Sequence, residues 1–313
     1  MNDTSELLKQ LPQGTLPDQR KFLRELQQSL IDDLPKAEFD GFDNDPSAFS
    51  GNALLNFYDS ICDRLLTDVP ATTLRPGEVA VWYIYNHGWL IKTAGSCFGI
   101  DIHHRRAAEL EPLLDFIAVT HNHGDHYNLE LLKAMNRAGK TVISNFFPNL
   151  GYTKASEYTH TIRDITIHCG EADHNSQLRR FVMPLEIVCS GGKEDFVFFT
   201  SGDCFSSDFL KSRTGKVNLY CIHPLCNMKP VDAAKKLSPE MTFVVHLQEL
   251  GHEIGRFRWT AADGDAAAAA LNQAGFAAYV PVWGEKFIWD GSRLLNINRI
   301  MDQHDKSHSV ESF

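Results

Sequence analysis

Apolar positions recur at a spacing of four over two stretches in the first quarter of the chain. Phe22, Leu26, Leu30 and Leu34 follow a Pro17-Asp18 start signal, and Leu54, Tyr58, Ile61 and Leu65 follow Asn52, a capping residue type; both stretches predict amphipathic helices. Between them, DGFDNDPSAFSGN is dense in turn formers and acids and predicts a loop. The period changes after Pro76-Gly77. Runs 79–93 and 96–102 are rich in β-branched and aromatic residues and flank Ala94-Gly95, which predicts strands joined as a hairpin or meander. Short apolar runs at 116–120, 141–144, 165–169, 181–189, 196–200, 219–222, 243–245, 278–282 and 286–289 predict further strands, with helices at 129–138 and 261–273. The chain is thus mixed α/β, with a helical extension over 1–76, a β-rich domain over 77–298 and a polar tail over 299–313. No internal repeat of fixed period is visible.

Composition narrows the function classes. The 313 residues are 43% hydrophobic and 22% charged, which is ordinary for a globular protein, and the net charge of −10 disfavours non-specific nucleic-acid binding. The apolar runs fall short of the ~18 residues of a membrane span. The N-terminus lacks the basic-then-apolar layout of a secretion signal. Seven dispersed cysteines without a CxxC pair argue against a disulfide scaffold, so a reduced, cytoplasmic protein is expected.

The histidines carry the chemistry. Three histidines and an aspartate, His121, His123, Asp125 and His126, fall on one turn behind a strand and can aim several nitrogens and an oxygen into one cavity. Composition alone would produce such an HxHxDH run in about two chains per thousand. His174, Asp203 and His246 each stand just beyond a further short buried strand, where a sheet edge can present them to a shared cleft. Seven ligands exceed what one tetrahedral ion uses, which implies two ions roughly 3.5–4 Å apart. Zn²⁺ suits this donor set best, with Mn²⁺ and Fe as alternatives.

This pattern resembles the metallo-β-lactamase fold superfamily over about residues 78–290. The resemblance implies a four-layer αββα sandwich with two divalent metals at one edge. It matches His121, His123 and His174 to the first metal, Asp125, His126 and His246 to the second, and Asp203 to the bridging carboxylate. Asp101, in FGIDI, matches an aspartate that orients a ligand histidine from behind. VWYIYNHGWLIKT and VPVWGEKFIW are similar to the group of the ascorbate-6-phosphate lactonase and the N-acyl-phosphatidylethanolamine phospholipase D, although segment 1–76 has no counterpart there.

The implied activity is hydrolysis of a small ester, lactone or phosphoester by water made nucleophilic at neutral pH, with Asp125 orienting that water and relaying a proton. His252, Arg256 and Arg258 in GHEIGRFRW follow His246 closely, and strand alternation would point both arginines one way, so they are candidate binders of an anionic substrate. Asn175 and His223 are weighed as oxyanion donors against the commoner role of local hydrogen bonding, and His87 as a cleft residue against a satisfied strand histidine. His103 and His104 are expected at the surface. The alternatives are a diiron redox enzyme on the same fold, whose relatives carry HxExDH and a flavin domain, and a phosphodiesterase acting on nucleotides or phospholipids. The short intervals separating His174, Asp203 and His246 leave no room for the inserted domain of the nuclease relatives. The apolar stripe of the N-terminal helices needs a surface, its own sandwich or a second copy, which leaves homo-oligomerisation open.

Overall fold

The computed structural model describes residues 34–49, 51–153, 157–224 and 228–296. Two seven-stranded sheets pack face to face. The first has the order β16-β15-β1-β2-β3-β4-β5 and contains β1 (Val79–Tyr83), β2 (Trp89–Lys92), β3 (Cys97–Ile100), β4 (Phe116–Ala118), β5 (Thr141–Ile143), β15 (Lys286–Trp289) and β16 (Leu294–Asn296). The second has the order β14-β11-β10-β9-β8-β7-β6 and contains β6 (Tyr158–Ile162), β7 (Ile165–Cys169), β8 (Leu185–Cys189), β9 (Phe196–Thr200), β10 (Leu219–Ile222), β11 (Met241–Val244) and β14 (Ala278–Tyr279). A short pair, β12 (Glu253–Ile254) and β13 (Phe257–Arg258), stands apart.

Helices cover both outer faces: α1 (Lys36–Asn44), α2 (Ala53–Ala71) and α3 (Leu129–Arg137) on the side of the first sheet, α4 (Pro230–Leu237) and α5 (Ala261–Gln273) on the second. This is the αββα sandwich that the sequence resemblance implied. With helices on one face and a sheet on the other, β1, β8, β9, β10 and β11 are buried along their whole length, which is why they read as continuous apolar runs. Between the sheets, Trp89 packs on Phe198 and Phe243, with ring centroids 5.7 and 5.9 Å away.

Helix α2 starts where Asn52 accepts a hydrogen bond from Leu55 N at 3.1 Å, and its apolar stripe joins the core of the first sheet. Lys92 Nζ satisfies the last-turn carbonyls Val69 O and Thr72 O at 2.7 and 2.8 Å. Two expectations fail. DGFDNDPSAFSGN is not a loop throughout: its first residues complete α1 and Pro46–Phe49 forms a 3-10 turn, because Phe39 and Phe42 bury themselves against Tyr58. The run 79–93 is not one strand but two, broken where Asn86 turns left-handed (φ 55°). The predicted helix around Phe22, residue Cys226 and the tail lie outside the described residues. No described helix is long and apolar enough to cross a membrane, and the described cysteines are buried and free.

Candidate metal centre

The strands β3, β4, β7, β9, β10 and β11 deliver their C-terminal ends to one edge of the sandwich, and a polar side chain waits just past each end. Asp101 follows β3, the His121–His126 turn follows β4, His174 follows β7, Asp203 follows β9, His223 follows β10 and His246 follows β11. All seven side chains expected at the centre converge there. His121, His123, His174 and Asp203 bring ligand atoms within 4.8 Å of one another, and so do Asp125, His126 and His246.

Asp203 sits between the two groups and turns one oxygen to each. Its Oδ2 lies 3.7 Å from His121 Nε2 and 3.6 Å from His174 Nε2, whereas Oδ1 lies 3.4 Å from His126 Nε2 and 3.6 Å from His246 Nε2. Asp125 Oδ2 lies 3.1 Å from His246 Nε2. Asn86 donates to the backbone oxygen of Asp125 at 2.8 Å and accepts from His246 N through its own carbonyl at 2.8 Å. The break between β1 and β2 thus clamps the second group.

Hydrogen bonds behind the rings fix their tautomers. Asp101 accepts from Thr120 N and Thr120 Oγ1, both at 2.7 Å, and lies 3.0 Å from His126 Nδ1. A carboxylate only accepts, so His126 donates from Nδ1 and presents Nε2 to the cluster as the nitrogen an ion would take. Thr120 Oγ1, its hydrogen committed to Asp101, accepts from His121 Nδ1 at 3.0 Å and frees that Nε2 likewise. His126 Nε2 and His246 Nε2 close to 3.1 Å, as do His121 Nε2 and His123 Nδ1. That spacing is near the ~3.3 Å edge of a tetrahedron with bonds of about 2.0–2.1 Å. Ring nitrogens gathered this closely around the Asp125 and Asp203 carboxylates fit a cationic occupant.

Burial holds His121 well below the ordinary imidazole pKa, and burial together with His174 lowers His123, so both stay neutral. Burial would lower His126 and His246, but Asp203 and Asp125 outweigh it, so without an ion His126 is raised well above the ordinary imidazole pKa and His246 above it, and an ion arriving there displaces protons. Burial would raise Asp203, but His246, His126 and His223 outweigh it and hold the carboxyl well below its usual range. Burial opposes ionisation of Asp125 as well, and His126 and His246 overcome it.

The centre opens on a cavity of about 670 Å³ lined by the metal-binding residue types His123, Asp125, His174, Asp203, His223 and His246 together with Asn175, Leu178, His252, Phe257 and Trp259. His252 is therefore at the cavity, but the two arginines do not point together. Arg258 is buried and donates to Glu249 O at 3.0 Å, Leu250 O at 2.6 Å and Leu34 O, because its carbonyl partners lie on the inner side of the turn. Arg256 is exposed beside the Phe257 ring. The pair as an anion clamp is corrected accordingly.

His223 stacks on His246 at 3.9 Å and lies 3.2 Å from Asp203. Asn175 caps its own turn, accepting from Gln177 N and Leu178 N at 2.9 and 2.8 Å. His87 is buried against Thr200 Oγ1 at 2.7 Å, with its ring 5.4 Å from His126. His104, expected at the surface, is buried on Tyr58, and His103 is half-buried beside Glu249. Glu249 escaped the sequence reading; the only local signal was a histidine three positions on, in ELGH.

Solved structures with related folds are remote in sequence. Igni18, a metallo hydrolase from Ignicoccus hospitalis, superposes with a TM-score of 0.50 at 18% identity over 68% of this chain and 98% of its own. CmlA, a diiron β-hydroxylase from Streptomyces venezuelae, gives 0.49 at 13% identity over 71% and 55%. The metallo-β-lactamase fold protein YhfI from Bacillus subtilis gives 0.48 at 13% over 69% and 99%. No protein-family model and no curated protein matches the sequence. In fold, the chain is a metallo-β-lactamase-type sandwich.

Proposed function

We propose that the protein is a metal-dependent hydrolase of a small ester, lactone or phosphoester. Asp203, with one oxygen turned to each cluster, is the observation that carries the reading: a carboxylate so placed can be shared by two ions. His121, His123 and His174 would hold one ion and Asp125, His126 and His246 the other, with Asp203 placed to reach either. Five imidazoles among these donors favour Zn²⁺, with manganese and iron as the other outcomes of elemental analysis. Divalent ions in this position supply Lewis acidity and make water nucleophilic at neutral pH.

The chain's own residues do the rest. Asp101 and Thr120 lock the ring orientations of His126 and His121 before any ion arrives. Asp125, on the cavity wall, orients the attacking water and takes up its proton. The cavity admits a small molecule, and an anionic group on it would be met by the ions rather than by Arg256 or Arg258. The segments VWYIYNHGWLIKT and VPVWGEKFIW support a lactonase or phosphodiesterase similar to the group of the ascorbate-6-phosphate lactonase and the N-acyl-phosphatidylethanolamine phospholipase D. A reducing, cytoplasmic setting belongs to the same reading.

Protein purified without added metal should contain close to two divalent ions per chain by elemental analysis and turn over members of a lactone, ester and phosphodiester panel. His123→Ala should lose both ion content and turnover. Full activity in that variant would refute the proposal.

A further inference from the structure

Behind His252 in the cavity wall lies a buried carboxylate that the reading above does not use. Glu249 has a side-chain exposure of 2% and three groups around it. Tyr85 donates to Oε1 at 2.9 Å, His103 Nε2 lies 3.6 Å from the same oxygen, and His252 Nδ1 lies 2.9 Å from Oε2. Arg258 pins the backbone on both sides by donating to Glu249 O and Leu250 O. His103 Nδ1 faces the carbonyl of Tyr127 at 3.3 Å, so both its nitrogens look at acceptors and the ring suits the protonated form, which balances the charge of Glu249. The pKa directions agree: burial alone would raise Glu249, but His103 and His252 hold it far below the carboxylate range.

The other oxygen serves His252. Glu249 Oε2 and His252 Nδ1 are both buried, lie 2.9 Å apart and make no other hydrogen bond among the described residues; in this ring orientation they form an ion-pair contact rather than an aligned hydrogen bond. An ionised carboxylate only accepts, so the hydrogen is on Nδ1. With Nδ1 buried and 31% of the side chain exposed in the cavity wall, the open edge of the ring carries Nε2. The Phe257 ring centroid is 6.0 Å from that of His252, and Leu178 and Trp259 line the same cavity. Phe257 is held at φ 68° and is 59% exposed, an unfavourable backbone and an unfavourable exposure for an aromatic residue unless something packs on it.

Resting on the hydrolase reading, we propose that His252, aligned by Glu249, protonates the leaving oxygen of a substrate whose departing alcohol is apolar and seats against Leu178, Phe257 and Trp259. As water oxygen bonds to the acyl carbon or phosphorus, the bond to the leaving oxygen breaks and its electron pair stays on that oxygen. His252 enters the step as the imidazolium, with a hydrogen on each nitrogen; the leaving oxygen takes the proton from Nε2, whose N–H electron pair remains on the ring, and His252 is left as the neutral Nδ1–H tautomer facing Glu249. The proton of the attacking water passes to Asp125 and solvent, and His252 regains one from solvent at the cavity mouth. His252 is the catalytic residue in this step and Glu249 its positioning residue.

The test uses the metal-loaded full chain and matched para-nitrophenyl, phenyl and benzyl butyrates and methylphosphonates, which differ in how much the departing oxygen needs a proton. His252→Ala should leave para-nitrophenyl turnover within about threefold and lower kcat for the benzyl members by about 10²–10³ with little change in KM. Added imidazole should restore part of the loss, and Glu249→Gln should shift the series in the same direction. Metal content of His252→Ala should equal that of the wild type. Imidazole nitrogen resonances of the metal-free protein should report His252 as the Nδ1–H tautomer, with that preference lost in Glu249→Gln. Equal losses across the series, no rescue by imidazole, or an Nε2–H tautomer overturns the proposal and leaves the hydrolase reading standing. No turnover of any ester or phosphoester by the metal-loaded wild type removes both.

Discussion

The imidazole of His104 stacks on Tyr58 with centroids 4.2 Å apart and has both nitrogens committed. Nδ1 accepts from Arg106 N at 3.2 Å, so Nε2 carries the hydrogen and donates to Tyr58 O at 2.9 Å. Protonating Nδ1 would set it against the Arg106 N–H, and burial penalises the charge further; burial, the larger cause, brings the pKa down from 6.5 to about 4. The sign follows. The unfolded chain takes up a proton as pH falls through about 6.5, while the folded protein resists until about 4, so His104 subtracts nothing above 6.5 and removes stability progressively below it. Over the full window that amounts to about 3 kcal/mol. Urea unfolding of metal-free wild type and His104→Phe at pH 7 and pH 4.5 checks this. The variant starts less stable, having lost two hydrogen bonds, but should lose about 2–3 kcal/mol less on acidification. Parallel losses would show that His104 titrates normally.

At the scale of elements, the centre depends on how closely two loops cross. Gly202, ahead of Asp203, has φ +50°, and a Cβ there would stand 2.8 Å from Thr120 Cβ and Oγ1. Thr120 is the residue that links Asp101 to His121. A methyl group therefore pushes the loop after β9 away from the loop after β4. Gly202→Ala should lower stability by about 2–4 kcal/mol, combining the left-handed penalty with overpacking, and should weaken metal affinity in a chelator competition. Gly139→Ala is the control, because Gly139 has φ +70° and open space around its Cβ position. It should show only the backbone penalty, about 1 kcal/mol, at unchanged metal affinity. Identical behaviour of the two variants would remove the crossing argument. Elements whose cause is local were readable in advance: α2 behind the Asn52 cap, α5 behind the Thr260–Asp263 capping box, and the short runs that became β7, β9 and β15. Those whose cause is tertiary were not. Helix α1 forms because Phe39 and Phe42 find Tyr58, and the break after β1 is hidden within residues that are all buried, 84–88. The same division runs through the site. Seven side chains announced themselves by type and by position after strands, whereas Glu249 takes its meaning from Tyr85 and His103, far away in the chain.

For the molecule as a whole, the clusters lie where the two sheets meet at an edge, and neither sheet supplies a complete set. The turn after β4 belongs to the first sheet; His174, Asp203 and His246 belong to the second. An ion bound there bridges the halves of the sandwich, and the unfolded chain offers no comparable arrangement. By linkage, an ion present at a hundred times its dissociation constant stabilises the folded state by about 2.7 kcal/mol per site. For a domain of this size each kcal/mol moves Tm by roughly 2–4 °C. Saturating chelator should therefore lower the Tm of metal-loaded wild type by at least about 5 °C, and restoring the ion should reverse the shift. His123→Ala, lacking a donor from the first cluster, should begin with a lower Tm and respond to chelator by clearly less. Comparing the two separates bridging by ions from general effects of chelator on the protein. A wild-type Tm that stays constant while elemental analysis shows the ions gone would mean that hydrophobic packing, such as Trp89 on Phe198 and Phe243, holds the sheets together unaided.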